Sequence, residues 1–321
     1  MPLHLNIIAR TNGVGLDRDV DLIHEVATAA GYDVTVSHCR SIPFYAGWFG
    51  ATKSFDANIF LERISPRWIG SAHTNILIPN QERYPERQVP LLKKMDHIFC
   101  KSRHALKVFE KHHPSCHHSS FTSRDLFLEN LPRRREGVLH LAGRSTLKGT
   151  ESIIGQWERH PEWPKLTLLQ HKENAPVSVP RNVNLRTEYL SEKELQKLMN
   201  EHPIHLCPSL SEGWGHYIVE AMSCGATVIT TDAPPMNELV KDDRGILSAW
   251  SKSEQRNLGT NFHVTPDAFE NAIKTALRMN ETARAEMGQA ARTWMLQNDK
   301  TFRDTLVSLM NELIKPQPVQ K

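Results

Sequence analysis

The chain has 321 residues, 39% of them apolar and 23% charged. At roughly 150 residues per domain, that suits a globular protein of one or two domains and argues against a disordered or fibrous one. The net charge is only +3 (39 Lys and Arg against 36 Asp and Glu), too small to demand nucleic acid as a partner. No apolar run approaches the ~20 residues of a bilayer span. The N-terminus MPLHLNIIAR lacks the basic region and cleavage site of a secretory signal. Five widely spaced cysteines without a CxxC pair (Cys39, Cys100, Cys116, Cys207, Cys224) read as reduced thiols, so a cytoplasmic protein is expected, with neither disulfides nor zinc.

The first half alternates short β-rich runs with helical stretches. His4–Arg10 reads as a buried strand. Asp17–Ala30 follows, with Val20, Leu22, Ile23, Val26, Ala27 and Ala30 at helical spacing and Gly31 as its stop. Asp33–His38, Asn58–Glu62 and Asn75–Pro79 are expected strands. Arg87–Met95 is expected to be helical, His97–Lys101 a strand, and Ser102–Lys111 a helix capped by its serine. Leu131–Gly137 (LPRRREG) then breaks the pattern and marks a domain boundary.

The second half restarts with strands at Val138–Ala142, Lys165–Gln170, Asn182–Arg186, Ile204–Pro208 and Thr227–Thr231. Helices are expected at Thr150–Glu158, Ser191–Glu201, Tyr217–Ser223 and Pro235–Lys241. Ser191 with Glu194 has the form of a capping box, and Pro235 suits a helix start. Three more helices close the chain, Pro266–Asn280, Glu281–Gln297 and Phe302–Ile314, before the polar end PQPVQK. Strands alternating with helices imply parallel sheets in an α/β architecture, which bind ligands at their strand C-terminal ends. The expected division is residues 1–132, residues 133–300, and a terminal helix and tail from 301 to 321.

Chemistry concentrates in Pro208–Asp232 (PSLSEGWGHYIVEAMSCGATVITTD). A strand ends, a turn carrying Gly213 and Gly215 follows, and a helix begins near His216. Glycines admit a close ligand, and the free N–H groups of a helix start favour an anion such as a diphosphate. Glu212 and Glu220 flank that turn at up to about 12 Å, and carboxylates accept well from paired hydroxyls. A ligand with hydroxyls at both ends and phosphates between them fits.

These residues resemble the glutamate-x7-glutamate signature of retaining glycosyltransferases with the GT-B fold, family four in particular. The resemblance is carried by Pro208–Ser209, Glu212-Gly-Trp-Gly and Glu220-Ala-Met-Ser-Cys-Gly. It implies two Rossmann-like α/β/α domains facing a central cleft, with the terminal helix crossing back to the first. It also implies that Glu220 holds the ribose of a nucleotide sugar and Glu212 the transferred sugar. Backbone amides across Gly213, Trp214, Gly215, His216 and Tyr217 would contact sugar and phosphate. Leu141-Ala-Gly-Arg144-Ser-Thr-Leu-Lys148-Gly resembles the family's strand-end arginine and lysine, which offset charge on the leaving diphosphate. The spacing between these two is one or two residues shorter than usual. By the same resemblance Tyr189 lines the base pocket, by backbone contact or stacking. The Asn12-Gly-Val-Gly15 loop would bring Gly15 to the donor phosphate and Asn12 toward the acceptor, and Asn80 and Glu82 would face the same cleft. The family's acceptor-side histidine has no clear equivalent, because His73 is read as lying ahead of its strand, so that role stays unassigned.

The resulting expectation is a retaining, hexosyltransferase-type enzyme with catalytic residues Glu212, Arg144 and Lys148, needing neither metal nor cofactor. Its donor is a UDP- or GDP-sugar. Its acceptor is a glycan, glycolipid or small molecule, in glycoconjugate or cell-surface polysaccharide synthesis. Lys93-Lys94, Lys111 and Arg133-Arg134-Arg135 suggest a solvated face or peripheral contact with the inner membrane surface. The alternatives are a sugar-nucleotide epimerase of the same fold, a phosphorylase, and a non-catalytic nucleotide- or nucleic-acid-binding protein. His112-His113 and His117-His118 around Cys116 match no zinc spacing and read as polar surface. Phe44, Tyr45, Trp48 and Phe49 form an aromatic patch, read as core packing or a loop.

Overall fold

A computed structural model describes residues 2–10, 15–41, 54–132 and 136–315. Asn12, the patch of Phe44, Tyr45, Trp48 and Phe49, the cluster Arg133–Arg135 and the PQPVQK end lie outside the described residues. The chain divides into two compact units. One comprises Met1–Ser123, Arg256–Gly259 and Asn298–Lys321; the other comprises Arg124–Gln255 and Thr260–Gln297.

The first unit holds a six-stranded parallel sheet: β1 His4–Ala9, β2 Asp33–His38, β3 Phe55–Glu62, β4 Ala72–Pro79, β5 His97–Cys100 and β6 Cys116–His118, in the order β2-β1-β3-β4-β5-β6. Helix α1, Gly15–Ala29, buries Leu16, Val20, Leu22, Ile23, Val26 and Ala27 and ends where Gly31 turns left-handed at φ 90°. Helix α2, Arg103–Phe109, starts at Ser102, whose hydroxyl accepts from the Ala105 N–H. Register across the sheet centre is pinned by polar partners. Asn6, Asn58 and Asn75 stand opposite one another, with Asn6 Nδ2 donating to Asn58 Oδ1 at 3.2 Å and Asn58 Nδ2 to Asn75 Oδ1 at 3.0 Å. A one-residue slip would separate these buried amides and leave them unpaired. Phe60, Leu77, Tyr84, Ile98 and Phe109 fill the core beside them.

Three features differ from the sequence expectations here. Glu86–Lys94 is 3-10 rather than α-helical, because Pro90 inside it has no N–H to donate along the helix. His73 lies inside β4, which begins at Ala72. The histidine-rich stretch forms edge strand β6: His113 is 8% exposed and bonds the Met95 carbonyl, and the His117 ring meets Phe99 edge-on. A run without apolar alternation joins the sheet through its backbone.

The second unit holds β7 Val138–Gly143, α3 Thr150–Arg159, β8 Leu166–Gln170, β9 Val183–Arg186, α4 Glu192–Glu201, β10 Ile204–Cys207, α5 His216–Ser223, β11 Thr227–Thr231, α6 Met236–Leu239 and β12 Ile246–Ser248. The chain runs outward from β7 through β8 to β9, then resumes on the other side with β10, β11 and β12, giving the parallel order β12-β11-β10-β7-β8-β9. That reversal places a crevice at the C-terminal ends of β7 and β10, where doubly wound sheets bind ligands. Trp157, Phe269, Leu166, Leu168, Leu206 and Ile229 fill the core beneath; each such buried side chain contributes about 1.5–3 kcal/mol. The capping box at Ser191 and Glu194 is present.

Residues 124–132 are held within this unit. Arg292 grips the Asp125 carboxylate with two donors at 2.7 and 2.9 Å, and the Leu126 and Leu128 N–H groups donate to Ser223 and Asn200. The pair β13 Trp250–Arg256 and β14 Gly259–Val264 was not expected, since β13 reads as polar and is mostly exposed. After α7, Pro266–Arg278, the two expected terminal helices form one, α8 Glu281–Leu313. The polar residues taken for a break continue the helix. Asn298 spends its amide on the Phe121 carbonyl at 2.7 Å and the Ser120 hydroxyl at 3.0 Å.

Candidate functional site

The second unit's crevice is built from two loops. The loop after β7 carries Arg144 to Gly149, and the loop after β10 carries Pro208 to Gly215. They lie against each other: the Leu210 N–H donates to the Leu147 carbonyl at 2.9 Å. Gly149 sits at φ 72°, and a Cβ there would stand 2.2 Å from the Pro208 carbonyl oxygen. Only glycine lets the loops approach this closely. Gly149→Ala is expected to cost about 3 kcal/mol, from left-handed strain plus a backbone clash. Urea unfolding would show it, and an unchanged midpoint would contradict the close approach.

This contact explains how Lys148 reaches the site despite its short spacing from Arg144. Lys148 Nζ lies 2.5 Å from Glu212 Oε1, with both side chains mostly buried, at 16% and 12% exposed. Ser209 donates to the same carboxylate oxygen at 2.5 Å. The ammonium also sits 3.6 Å from the centre of the Tyr217 ring. Burial, with the Cys207 thiol and Glu212 carboxylate nearby, holds the Tyr217 phenol well above its ordinary range, so it remains an O–H donor. Strand ends below are fixed by Thr230 and Thr231, whose hydroxyls donate to the Cys207 and Ser209 carbonyls at 2.7 Å.

Arg144 is exposed and braced from the loop after β8. Its Nη2 lies 3.3 Å from His171 Nε2, and its carbonyl accepts from Asn174 Nδ2 at 2.9 Å. Helix α5 starts after Gly215, which adopts φ 113° against Leu239 and Ile218. Glu220 stands in that helix, about 6 Å along from its first residue, and is 2% exposed. Gly213, Trp214 and Tyr217 are buried and His216 is half-buried. Tyr189, in the loop after β9, is 93% exposed. His140 on β7 supports the crevice floor. Its ring bonds the Leu206 carbonyl at 2.7 Å and the Thr150 hydroxyl at 3.0 Å, and burial lowers its pKa to about 4, so it is neutral at pH 7.

The remaining candidates belong to the first unit. Gly15 opens α1, and a Cβ there would meet nothing within 4 Å. Asn80 follows β4, and its Oδ1 accepts from Lys101 Nζ at 2.9 Å. Lys101, 2% exposed, also pairs with Asp19 of α1 at 2.5 Å. Glu82 is 5% exposed, and its carbonyl accepts from Asn257 at 2.7 Å.

Thus Lys148, Glu212 and Tyr217 are brought into one constellation, Arg144 and Glu220 stand on the same crevice-forming elements, and Tyr189 projects into solvent. Sequence reasoning missed Ser209 and His171 as partners of the cations and carboxylates, and missed the buried Lys101–Asp19 pair. Ser209 stood in the quoted motif. His171 carried no signal beyond following a strand. Among the described residues, no three His, Cys, Asp or Glu side chains converge to hold a metal ion, and no helix is long and apolar enough to cross a membrane.

Residues 181–294 match the family model for glycosyl transferases group 1, a stretch that includes Tyr189, Glu212 and Glu220 and begins after Arg144 and Lys148. No curated protein matches the chain. Solved structures share the fold over nearly the whole length. A glycosyltransferase from Rickettsia africae has a TM-score of 0.74 at 10% identity, covering 98% of this chain and 100% of that one. Sucrose-phosphate synthase from Thermosynechococcus elongatus has 0.73 at 13%, covering 97% and 99%. Anabaena HepE, in complex with UDP and glucose, has 0.71 at 12%, covering 97% and 100%.

Proposed function

We propose that the chain, whose residues 181–294 match the family model for glycosyl transferases group 1 and whose fold is that of GT-B enzymes, is a retaining hexosyltransferase whose donor, a nucleotide-diphosphate sugar, binds at the β7–β10 crevice. One observation carries the placement. The switch point of the second unit's sheet gathers two cations and the Glu212 carboxylate onto adjoining loops, with a helix start beside them and the Glu220 carboxylate in that helix.

The roles follow from charge. Arg144 and Lys148 face the diphosphate, whose negative charge grows as the sugar departs. Glu220, buried in α5, accepts from the ribose hydroxyls. Glu212, in the loop ahead of α5, accepts from hydroxyls of the transferred sugar. To do so it exchanges part of its bond with Lys148 for sugar contacts, which releases the ammonium toward phosphate. With two cations and the start of α5 offsetting the leaving charge, the reaction needs no metal. Retention without a protein nucleophile follows the front-face route, in which the leaving phosphate helps deprotonate the acceptor. UDP in the Anabaena relative supports uridine as the base. Asn12, Asn80 and Glu82 are the acceptor-side residues, and the acceptor is a glycan, glycolipid or small molecule.

The test is an assay of UDP- and GDP-sugars against a glycan and glycolipid panel, in EDTA, read by diphosphate release and by NMR of the product anomeric centre. Transfer with retained configuration, unchanged by EDTA, is expected. An inverted product would overturn the stereochemistry, and abolition by EDTA would overturn metal independence.

A further inference from the structure

The Tyr217 side chain makes two kinds of contact at once, through its ring and through its hydroxyl. Ser209 carries a single hydroxyl hydrogen, and it donates that hydrogen to Glu212 Oε1 at 2.5 Å. The Ser209 oxygen is also in contact with the Tyr217 hydroxyl, which meets the Cys207 thiol as well. Contacts thus run from the Tyr217 hydroxyl to Ser209 and from Ser209 to Glu212, and Lys148 donates to the same Glu212 oxygen. The circuit closes through the ring, whose electron-rich face lies 3.6 Å from Lys148 Nζ. Tyr217 itself is 8% exposed, so its ring is fixed by packing.

A lysine held by one carboxylate alone would lose its hold whenever that carboxylate turned to another donor. Here the ring supplies a second hold that no hydroxyl-bearing ligand competes for, since an aromatic face attracts the cation and accepts little else. The phenol stays protonated at neutral pH through its burial.

We propose that Tyr217 is a positioning residue: its ring keeps the Lys148 ammonium in the crevice independently of Glu212, and its hydroxyl orients Glu212 through Ser209. The proposal rests on the donor reading above and goes beyond it, because that reading gives Tyr217 only a backbone contact. The ring is then the element that lets Glu212 serve a ligand without freeing Lys148 to solvent.

The test is calorimetric titration of the whole chain with UDP, GDP and ADP, and with the matching nucleoside. Tyr217→Phe keeps the ring and is expected to bind the preferred diphosphate within twofold of wild type. Tyr217→Leu removes the ring and is expected to weaken it about tenfold while leaving the nucleoside unchanged. Replacement by pentafluorophenylalanine keeps the shape, inverts the ring's electrostatics and is expected to behave as leucine does. It decides the matter if the leucine variant does not fold. In a Lys148→Met background all three replacements are expected to have no further effect. Equal diphosphate affinity in wild type and the fluorinated variant would overturn the proposal and leave the donor reading standing. Failure of wild type to bind any diphosphate would instead overturn the donor reading, and this proposal with it.

Discussion

Arg144→Ala is expected to lower turnover by about 10²–10³-fold, the scale for loss of one preorganised donor facing charge that develops in the transition state. Donor affinity is expected to change by less than about tenfold, because the ground-state diphosphate keeps Lys148 and the start of α5. The residue suits the experiment. It is exposed, its guanidinium contacts His171 in a surface loop, and the Gly149–Pro208 contact that shapes the crevice does not involve it. The melting temperature is therefore expected to stay at the wild-type value. Arg144→Lys is expected to recover only part of the rate, since a point charge does not reproduce a planar fork of donors. Turnover within threefold of wild type would remove Arg144 from the leaving-group role.

Glu220→Ala acts on binding instead. A carboxylate accepting two hydroxyl hydrogens makes two charge-assisted bonds of about 1.5–3 kcal/mol each, and solvent entering the emptied space recovers part of this. A loss of about 100-fold in nucleoside-diphosphate affinity is expected by calorimetry. Inorganic pyrophosphate serves as the control, expected to bind both proteins alike because it has no ribose. Glu220 is 2% exposed, so the shape-preserving Glu220→Gln variant accompanies the alanine, with an intermediate loss. Affinity within threefold of wild type in a folded variant would contradict the ribose assignment.

Much of the fold was legible because parallel strands buried on both faces write continuous apolar runs. His4–Ala9 and Thr227–Thr231 stand within a residue of their expected bounds, while β3 and β4 end where expected and begin three residues earlier. Elements held by other means were not legible. Strand β6 pairs through its backbone with side chains of no strand character, and β13 is polar after its first residue, Trp250. The continuity of α8 depends on Asn298 satisfying its amide on Phe121 and Ser120, a contact 177 residues away in sequence. At the candidate site the motif gave Glu212, Glu220 and the glycine turn, since these are adjacent in the chain. The pairing of Lys148 with Glu212 spans 64 positions. It exists because Gly149 allows one loop to settle on Pro208, and glycine's left-handed conformation is not announced by its neighbours. Tyr217 illustrates the remaining gap. Helical periodicity marks it as buried, and only the position of Lys148 shows that its ring faces a cation.

The central claim is that a nucleotide-sugar donor occupies the crevice between β7 and β10. The most direct measurement is calorimetric titration of the whole chain with UDP-, GDP-, ADP-, CMP- and TDP-linked sugars in EDTA, on wild type and Glu220→Ala side by side. Saturating binding at one hundred times the dissociation constant would also raise stability by about 2.7 kcal/mol, visible as a rise in melting temperature. Preference for one base, UDP foremost, with that affinity lost in Glu220→Ala, is the result the account predicts. Binding of equal strength in both proteins, or no binding of any donor to wild type, would contradict it.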